Sequence, residues 1–112
     1  MAKPEFEFFD PKDLPWRQSS SVVGLNECIL SEDPESGAIT RFLKFEPGVS
    51  SEGVQIHDFW EELCIIDGSI YDLNLNETFS KGYYGCRPPG MKHGPWKSEN
   101  GALLFECRYY SK

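Results

Sequence analysis

The sequence has few histidines, no paired cysteines and no long hydrophobic run. It contains two histidines and four cysteines that lie far apart: Cys28, Cys64, Cys86 and Cys107. Without a closely spaced pair a four-cysteine zinc site is disfavoured, and we expect reduced thiols in a cytoplasmic protein. No segment has the roughly 20 apolar residues of a transmembrane helix, and the N-terminus lacks the apolar run of a signal peptide.

Positive charge is also scarce. The chain has 11 Lys and Arg against 18 Asp and Glu, which gives a net charge of -7. No basic cluster reverses this field locally, so nucleic acid is expected to be repelled. We therefore expect a small-molecule substrate as the partner, and neither nucleic acid nor a membrane.

Proline and glycine interrupt the sequence too often for long helices, since 8 Pro and 10 Gly occur in 112 residues. The short runs between them are rich in β-branched and aromatic residues, which is typical of an all-β barrel or sandwich. The predicted strands are 22–30, 38–45, 54–57, 61–67, 69–73, 79–87, 93–97 and 103–110. We expect less than about a tenth of the residues to be helical.

One domain is expected from the length of the chain. Residues 1–20 are predicted to form an N-terminal arm, and residues 21–112 the barrel. The arm is expected to pack on the barrel through its apolar side chains: Phe6, Phe8, Phe9, Leu14 and Trp16.

Both histidines lie beside turn signals at strand ends. Gln55 and His57 are two residues apart, so on an extended chain their side chains leave the same face. Glu61 opens the next strand, and a hairpin there would bring it back against His57. His93 follows Pro88-Pro-Gly90. Two imidazoles, a carboxylate and an amide oxygen that converge on one point would bind Zn, Fe, Mn or Ni.

Two motifs in this sequence resemble those of the cupins. The second cupin motif, G(x)5PxG(x)2H(x)3N, matches through Gly82, Pro88, Gly90 and His93, and fails only at Lys97. The first, G(x)5HxH(x)3–4E(x)6G, matches through His57, Glu61 and Gly68. Its leading glycine, Gly48, is one residue too far away, and Gln55 stands at its first histidine.

Further segments resemble the ChrR-like cupins, a group that includes the cupin half of certain zinc anti-sigma factors. These segments are 14–16, 33–37, 45–48, 61–63, 67–69, 88–90 and 103–105, together with Asp72. The resemblance implies a cupin barrel, the double-stranded β-helix or jelly-roll, which is often paired into homodimers. It also implies one divalent metal held by Gln55, His57, Glu61 and His93.

This chain departs from the family pattern in two places. Gln55 replaces a histidine, which leaves open whether there is a fourth ligand, although glutamine also occurs in the zinc site of type I phosphomannose isomerases. Phe59 and Trp60 replace two glycines, so we expect them either to line the substrate pocket or to plug its mouth. Four further residues are expected to contact the substrate because they lie near the motifs: Arg41, Tyr84, Arg87 and Trp96.

These residues favour a metal-dependent small-molecule enzyme. Dioxygenase chemistry on a diketone-like or hydroxyketone-like substrate comes first, because a weak fourth ligand eases bidentate binding of oxygen atoms. Glu61 would be a ligand or, if displaced, a catalytic base. Three alternatives stay open: an isomerase or lyase, a non-catalytic metal or ligand sensor, and a metal-free structural cupin.

Overall fold

The structure is a computed structural model that describes residues 2–110. Met1 and residues 111–112, which the predicted arm and barrel included, lie outside the described residues. The strands are β1 (Arg17–Gln18), β2 (Leu25–Glu32), β3 (Ile39–Phe45), β4 (Val49–Ser50), β5 (Trp60–Asp72), β6 (Glu77–Ser80), β7 (Tyr84–Arg87), β8 (Trp96–Ser98) and β9 (Ala102–Tyr109).

The expectation of an all-β fold is confirmed. Within residues 2–110 the helical content is one 3-10 turn of three residues, Pro11–Asp13. In this part of the chain no helix is long and apolar enough to span a bilayer. The dense spacing of proline and glycine accounts for both observations, because neither residue supports a helix interior.

Two curled sheets share the long strand β5. Its first half pairs with β9 on one side and β7 on the other, and the first sheet runs on through β3 and β2 to β1. Its second half pairs with β6 and β8, and β8 pairs with β4. One continuous strand therefore joins both sheets around a common interior.

Gly68 explains why β5 is one strand where the sequence predicted two, 61–67 and 69–73. The pairing of β5 with β9 shifts register between Ile65 and Asp67, which marks a β-bulge. Gly68 has a φ of +77°, and a Cβ there would lie 2.1 Å from the carbonyl oxygen of Gly101. Only glycine fits this bend, so the residue that looked like a strand break keeps the strand continuous.

Three other predicted strands were wrong in detail. The segment 93–97 is a strand only from Trp96, in β8 (Trp96–Ser98). The segment 54–57 forms only an isolated bridge between Gln55 and His93. The segment 79–87 is divided between β6 and β7 by a turn at residues 81–83.

The core lies on the inner face of the sheets, where side chains alternate inward with period 2. Inward residues of neighbouring strands stand in rows: Leu43, Leu104 and Ile65 form one row, and Leu25 and Phe45 belong to the next. All five are buried. The same alternation also turns charged residues of these strands into the interior. They stand in separate rows, nearer the other end of the strands.

The N-terminal arm runs along the outer side of the barrel. Lys3 Nζ donates to Thr40 Oγ1 at 2.6 Å, and β1 extends the sheet beside β2. The aromatic rings contribute less than expected, since Phe8 is fully exposed and Phe6 is 57% exposed. The hydrogen bond of Lys3 and the backbone pairing of β1 thus both tie the arm to the barrel.

Candidate metal centre

Two loops and one strand bring together the residues predicted as ligands. Glu61 lies at the start of β5 and points inward, and His57 lies in the loop before it. His93 comes from the loop between β7 and β8. The loops are tied together because Gln55 N donates to His93 O at 2.7 Å and Gly90 N donates to His57 O at 2.8 Å. The two sequence motifs therefore meet through their backbones.

His57, Glu61 and His93 form a compact cluster of potential ligands. Each offers one ligand atom, and these atoms lie within 4.8 Å of one another. The two imidazole rings are 4.9 Å apart between centroids. Gln55 is half-buried and borders the same cavity, directly across the backbone bridge from His93.

Both imidazoles favour the neutral form, which is the form that binds a metal. Burial lowers the pKa of His93 to about 4, with help from the positive charge of Arg87. Burial also lowers the pKa of His57, with Arg108 as the next cause. Within the described chain neither ring nitrogen of the buried His93 has a hydrogen-bond partner. This is an unusual cost for a buried polar group, and a metal ligand role would remove it.

Arg87 holds the carboxylate of Glu61. Its Nη1 donates to Glu61 Oε1 at 2.8 Å, and Glu61 is buried. Arg87 and Arg108 flank Glu61 on the two neighbouring strands, β7 and β9. The buried carboxylate is thus fixed on one side by a guanidinium group, as expected for a charged group that is kept in the interior.

Glu106 is a site residue that sequence reasoning missed. It is 1% exposed, and Arg41 Nε donates to its Oε1 at 2.6 Å. Its Oε2 has no partner among the described residues. Burial and the neighbouring carboxylate of Glu61 raise the pKa of Glu106 to about 7. The available signal was period 2, which places Glu106 on the same face of β9 as the apolar Leu104.

The cluster opens into a cavity of about 440 Å³ inside the barrel. The four residues predicted to contact substrate all border it: Arg41, Tyr84, Arg87 and Trp96. They are not equally available. Arg41 is held by Glu106, Glu27 and Ser19, and the Tyr84 hydroxyl donates to Glu62 on the outer face. Trp96 is a buried core residue that packs against Phe45, whereas Arg87 is half-buried and is held at the cluster itself by Glu61, so Arg87 is the best placed of the four.

Phe59 and Trp60 lie elsewhere than expected. The described residues that border the cavity include neither of them. Phe59 is buried behind His57, with the two rings stacked at 4.6 Å, and Arg108 covers the ring at 4.3 Å from its centroid. Trp60 stacks on Tyr109 with the rings 6.3 Å apart. Phe59 thus supports a candidate ligand from behind, and the expected wall or plug is not formed by this pair.

The donor set fits a divalent transition metal. Two neutral imidazoles and one carboxylate are the ligands of many Zn, Fe, Mn and Ni sites. The unpartnered nitrogens of buried His93 point to the same conclusion. His57, Glu61 and His93 would hold the ion, and Gln55 is near enough in the chain to add an amide oxygen.

A β-barrel of two sheets that carries a histidine and carboxylate cluster at one end of its interior defines the cupin class. This chain belongs to the family described as the ChrR cupin-like domain, whose model matches residues 5–111. No curated protein matches the sequence. The family expected from the motifs is therefore confirmed.

Solved structures share this fold at low sequence identity. An RmlC-like cupin from Shewanella frigidimarina has a TM-score of 0.77 and 16% identity, over 100% of this chain and 96% of its own. An acetylacetone dioxygenase from Acinetobacter johnsonii has a TM-score of 0.76 and 17% identity, over 95% of this chain and 75% of its own. The polyketide cyclase RemF from Streptomyces resistomycificus has a TM-score of 0.75 and 12% identity, over 96% of this chain and 81% of its own. Such likeness shows the fold alone, since one fold hosts many activities.

Proposed function

We propose that this cupin is a metal-dependent enzyme that acts on a small, oxygen-rich organic substrate, with dioxygenase chemistry on a diketone or hydroxyketone as the first choice. The observation that carries the proposal is the cluster of buried Glu61 and His93 with half-buried His57 at one end of a cavity. A site for structure alone would not need a cavity of about 440 Å³ beside it.

Each residue of the cluster has a distinct role in this proposal. His57 and His93 would supply neutral nitrogen ligands, and Glu61 a carboxylate that Arg87 orients. Gln55 would be a weak fourth ligand, because a neutral amide oxygen binds these metals less well than imidazole. When bound, a divalent ion supplies Lewis acidity toward a chelating substrate, and iron also supplies redox chemistry with O2.

Positive groups near the cluster suit an anionic substrate form. Arg87 and Arg108 both border the cavity beside Glu61. Their guanidinium groups would stabilise negative charge on an enolate oxygen. If Glu61 is displaced, its carboxylate would accept the proton that the substrate loses. An acetylacetone dioxygenase shares the fold at 17% identity, which makes a diketone the first compound to test.

The test is to load the protein with iron or cobalt and to record its spectrum with acetylacetone. We expect a clear spectral change in the wild type, a weaker one in Gln55→His, and loss of most of the metal in His93→Ala. Gln18→His, at an exposed residue of β1, is the matched control and should behave like the wild type. Oxygen uptake by the iron form then separates a dioxygenase from an isomerase or lyase.

Two outcomes would contradict the proposal. Full metal content in His93→Ala would mean that the ligand assignment is wrong. A spectrum that no diketone changes, with metal present, would favour a sensor or a structural cupin.

We also propose that the protein is a homodimer. The support is the arm, where Phe6, Phe8 and Phe9 expose apolar rings at 57%, 103% and 48%. Such a concentration of exposed aromatic surface is typical of a contact with another protein surface. A second copy of the chain is the simplest partner, and ChrR-like cupins are often paired.

A further inference from the structure

We propose that the cavity has a second, apolar subsite, which takes an aryl or branched alkyl substituent of the substrate, and that Gly85 sets its width. The inference rests on the proposed function, because the oxygen atoms of the same molecule would lie at the metal cluster. It goes further in naming the other half of the substrate and the residue that selects it.

The register of the strands divides the cavity into a charged end and an apolar end. At the charged end Arg87, Glu61 and Arg108 stand in one row across β7, β5 and β9. Two rows along the strands, Ile65 pairs with Leu104, which pairs with Leu43. Since all six residues border the cavity, its walls change from ionic to hydrocarbon over a few residues.

The apolar end reaches into what is otherwise the hydrophobic core. Leu43, Phe45 and Leu104 are both core residues and cavity walls, and Ile70 and Phe79 from the second sheet face them. Water gains few hydrogen bonds from such walls, and apolar cavities of about 150 Å³ already bind benzene. A substituent without polar atoms is therefore the ligand group that this end fits.

Gly85 lies at the boundary between the two ends. It is paired with Leu63, which is paired with Glu106, so its missing side chain would point into the cavity. A Cβ at Gly85 would have Leu63 Cδ1 at 3.9 Å as its nearest neighbour, and the φ angle of Gly85 is not positive. Glycine weakens a strand interior and here neither a bend nor a close backbone contact requires it. The glycine therefore leaves room in the cavity that a side chain at this position would fill.

The experiment compares two diketones that differ by one aryl group. Acetylacetone and 1-phenyl-1,3-butanedione are titrated into cobalt-loaded protein, and the spectral change gives each affinity. We expect the phenyl compound to bind on the order of tenfold to a hundredfold more tightly, as burial of an aromatic ring implies. Gly85→Val should remove most of this preference, because it should weaken the phenyl compound far more than acetylacetone, with Gly85→Ala in between.

Cys64→Val is the matched control, since Cys64 is next to Leu63 on β5 but faces outward. It should keep the full preference. If Gly85→Val does not fold, Gly85→Ala and the comparison of the two diketones on the wild type still decide the question. Equal affinities for the two diketones, or an unchanged preference in both Gly85 variants, would overturn the inference while the proposed function stands.

Toluene binding to the metal-free protein, followed by NMR, separates the two proposals. We expect toluene to bind the wild type and to bind Gly85→Val at least about tenfold more weakly. If toluene binds in this way but neither diketone changes the cobalt spectrum, the proposed function fails and the apolar subsite stands. If toluene does not bind, the subsite is refuted whatever the diketones do.

Discussion

Glu61 and Glu62 are consecutive residues of β5 with opposite surroundings. Glu61 points inward, is buried, and is held by Arg87 beside the two histidines. Glu62 points outward and accepts hydrogen bonds from the hydroxyls of Tyr84 and Tyr109. The sequence reads Glu-Glu at this point, and the pleat of the strand alone gives the two carboxylates different chemistry.

The comparison shows that the two faces of one sheet give their side chains different roles. The inner face collects charged groups where no bulk water competes, so each charge there needs a partner or a ligand. The outer face tolerates the same groups at little cost, because solvent and tyrosine hydroxyls satisfy them. Function is therefore expected to respond to inner residues and assembly to outer ones.

The largest expected effect is on metal affinity. Glu61→Gln should lower the affinity for cobalt or zinc by at least about a hundredfold, since it replaces a charged ligand with a neutral one. Glu62→Gln, one residue away on the outer face, should change it by less than about twofold. Isothermal titration of the two variants measures both numbers. Equal losses would show that the two faces do not differ in this way.

The next effect concerns assembly on the outer side. The wild type should have the mass of a dimer by light scattering at micromolar concentration. Phe8→Ser should raise the dimer dissociation constant by at least about tenfold, as expected for the loss of a buried aromatic ring. Val23→Ser, at another exposed apolar residue, is the control. A wild-type monomer under these conditions would refute the dimer.

The smallest effect is on the pH dependence of stability without metal. His93 has a pKa of about 4 when folded and 6.5 ordinarily, so the unfolded chain binds more protons between these values and stability falls as pH falls. Glu106 has a pKa of about 7 when folded and 4.5 ordinarily, so it acts in the opposite direction. Its contribution to stability is fully present below pH 4.5 and is lost as pH rises toward 7.

The contributions of His93 and Glu106 oppose each other between about pH 4.5 and 6.5, and His57, whose pKa is also lowered, acts in the same direction as His93. His93→Gln removes the contribution of His93, so its stability should rise relative to that of the wild type as pH falls through this range. Urea unfolding at several pH values measures the slopes. A His93→Gln slope equal to that of the wild type would contradict this account of the buried pair.

Much of the fold could be predicted from the sequence because period 2 and turn residues are local signals. The inward direction of Glu61, Leu63 and Ile65 follows from alternation alone, and the structure confirms it. The continuity of β5 could not be predicted, because the sequence does not distinguish a glycine in a turn from a glycine in a β-bulge. What distinguishes them here is the close approach of Gly101, which directly precedes β9, to Gly68.

The site was predictable where the motifs carried it and not beyond them. His57, Glu61 and His93 are brought together, as the motif spacing suggested. Glu106 and Arg108 belong to no motif, and their place beside the cluster depends on pairing between strands that are distant in sequence. The position of Phe59 behind His57 depends on how a loop folds, which no local pattern specifies.

The pairing of β5 also has a consequence for how the chain acquires its structure. All four partners of β5, from β6 to β9, follow it in the sequence. During synthesis this strand of 13 residues leaves the ribosome before any of them, with both edges unpaired. Because β9 must pair with both β3 and β5, the interior cannot close until residues 102–109 are made. The barrel therefore folds late and through contacts of long sequence separation, which slows folding and lengthens the time in which its edges are open to aggregation.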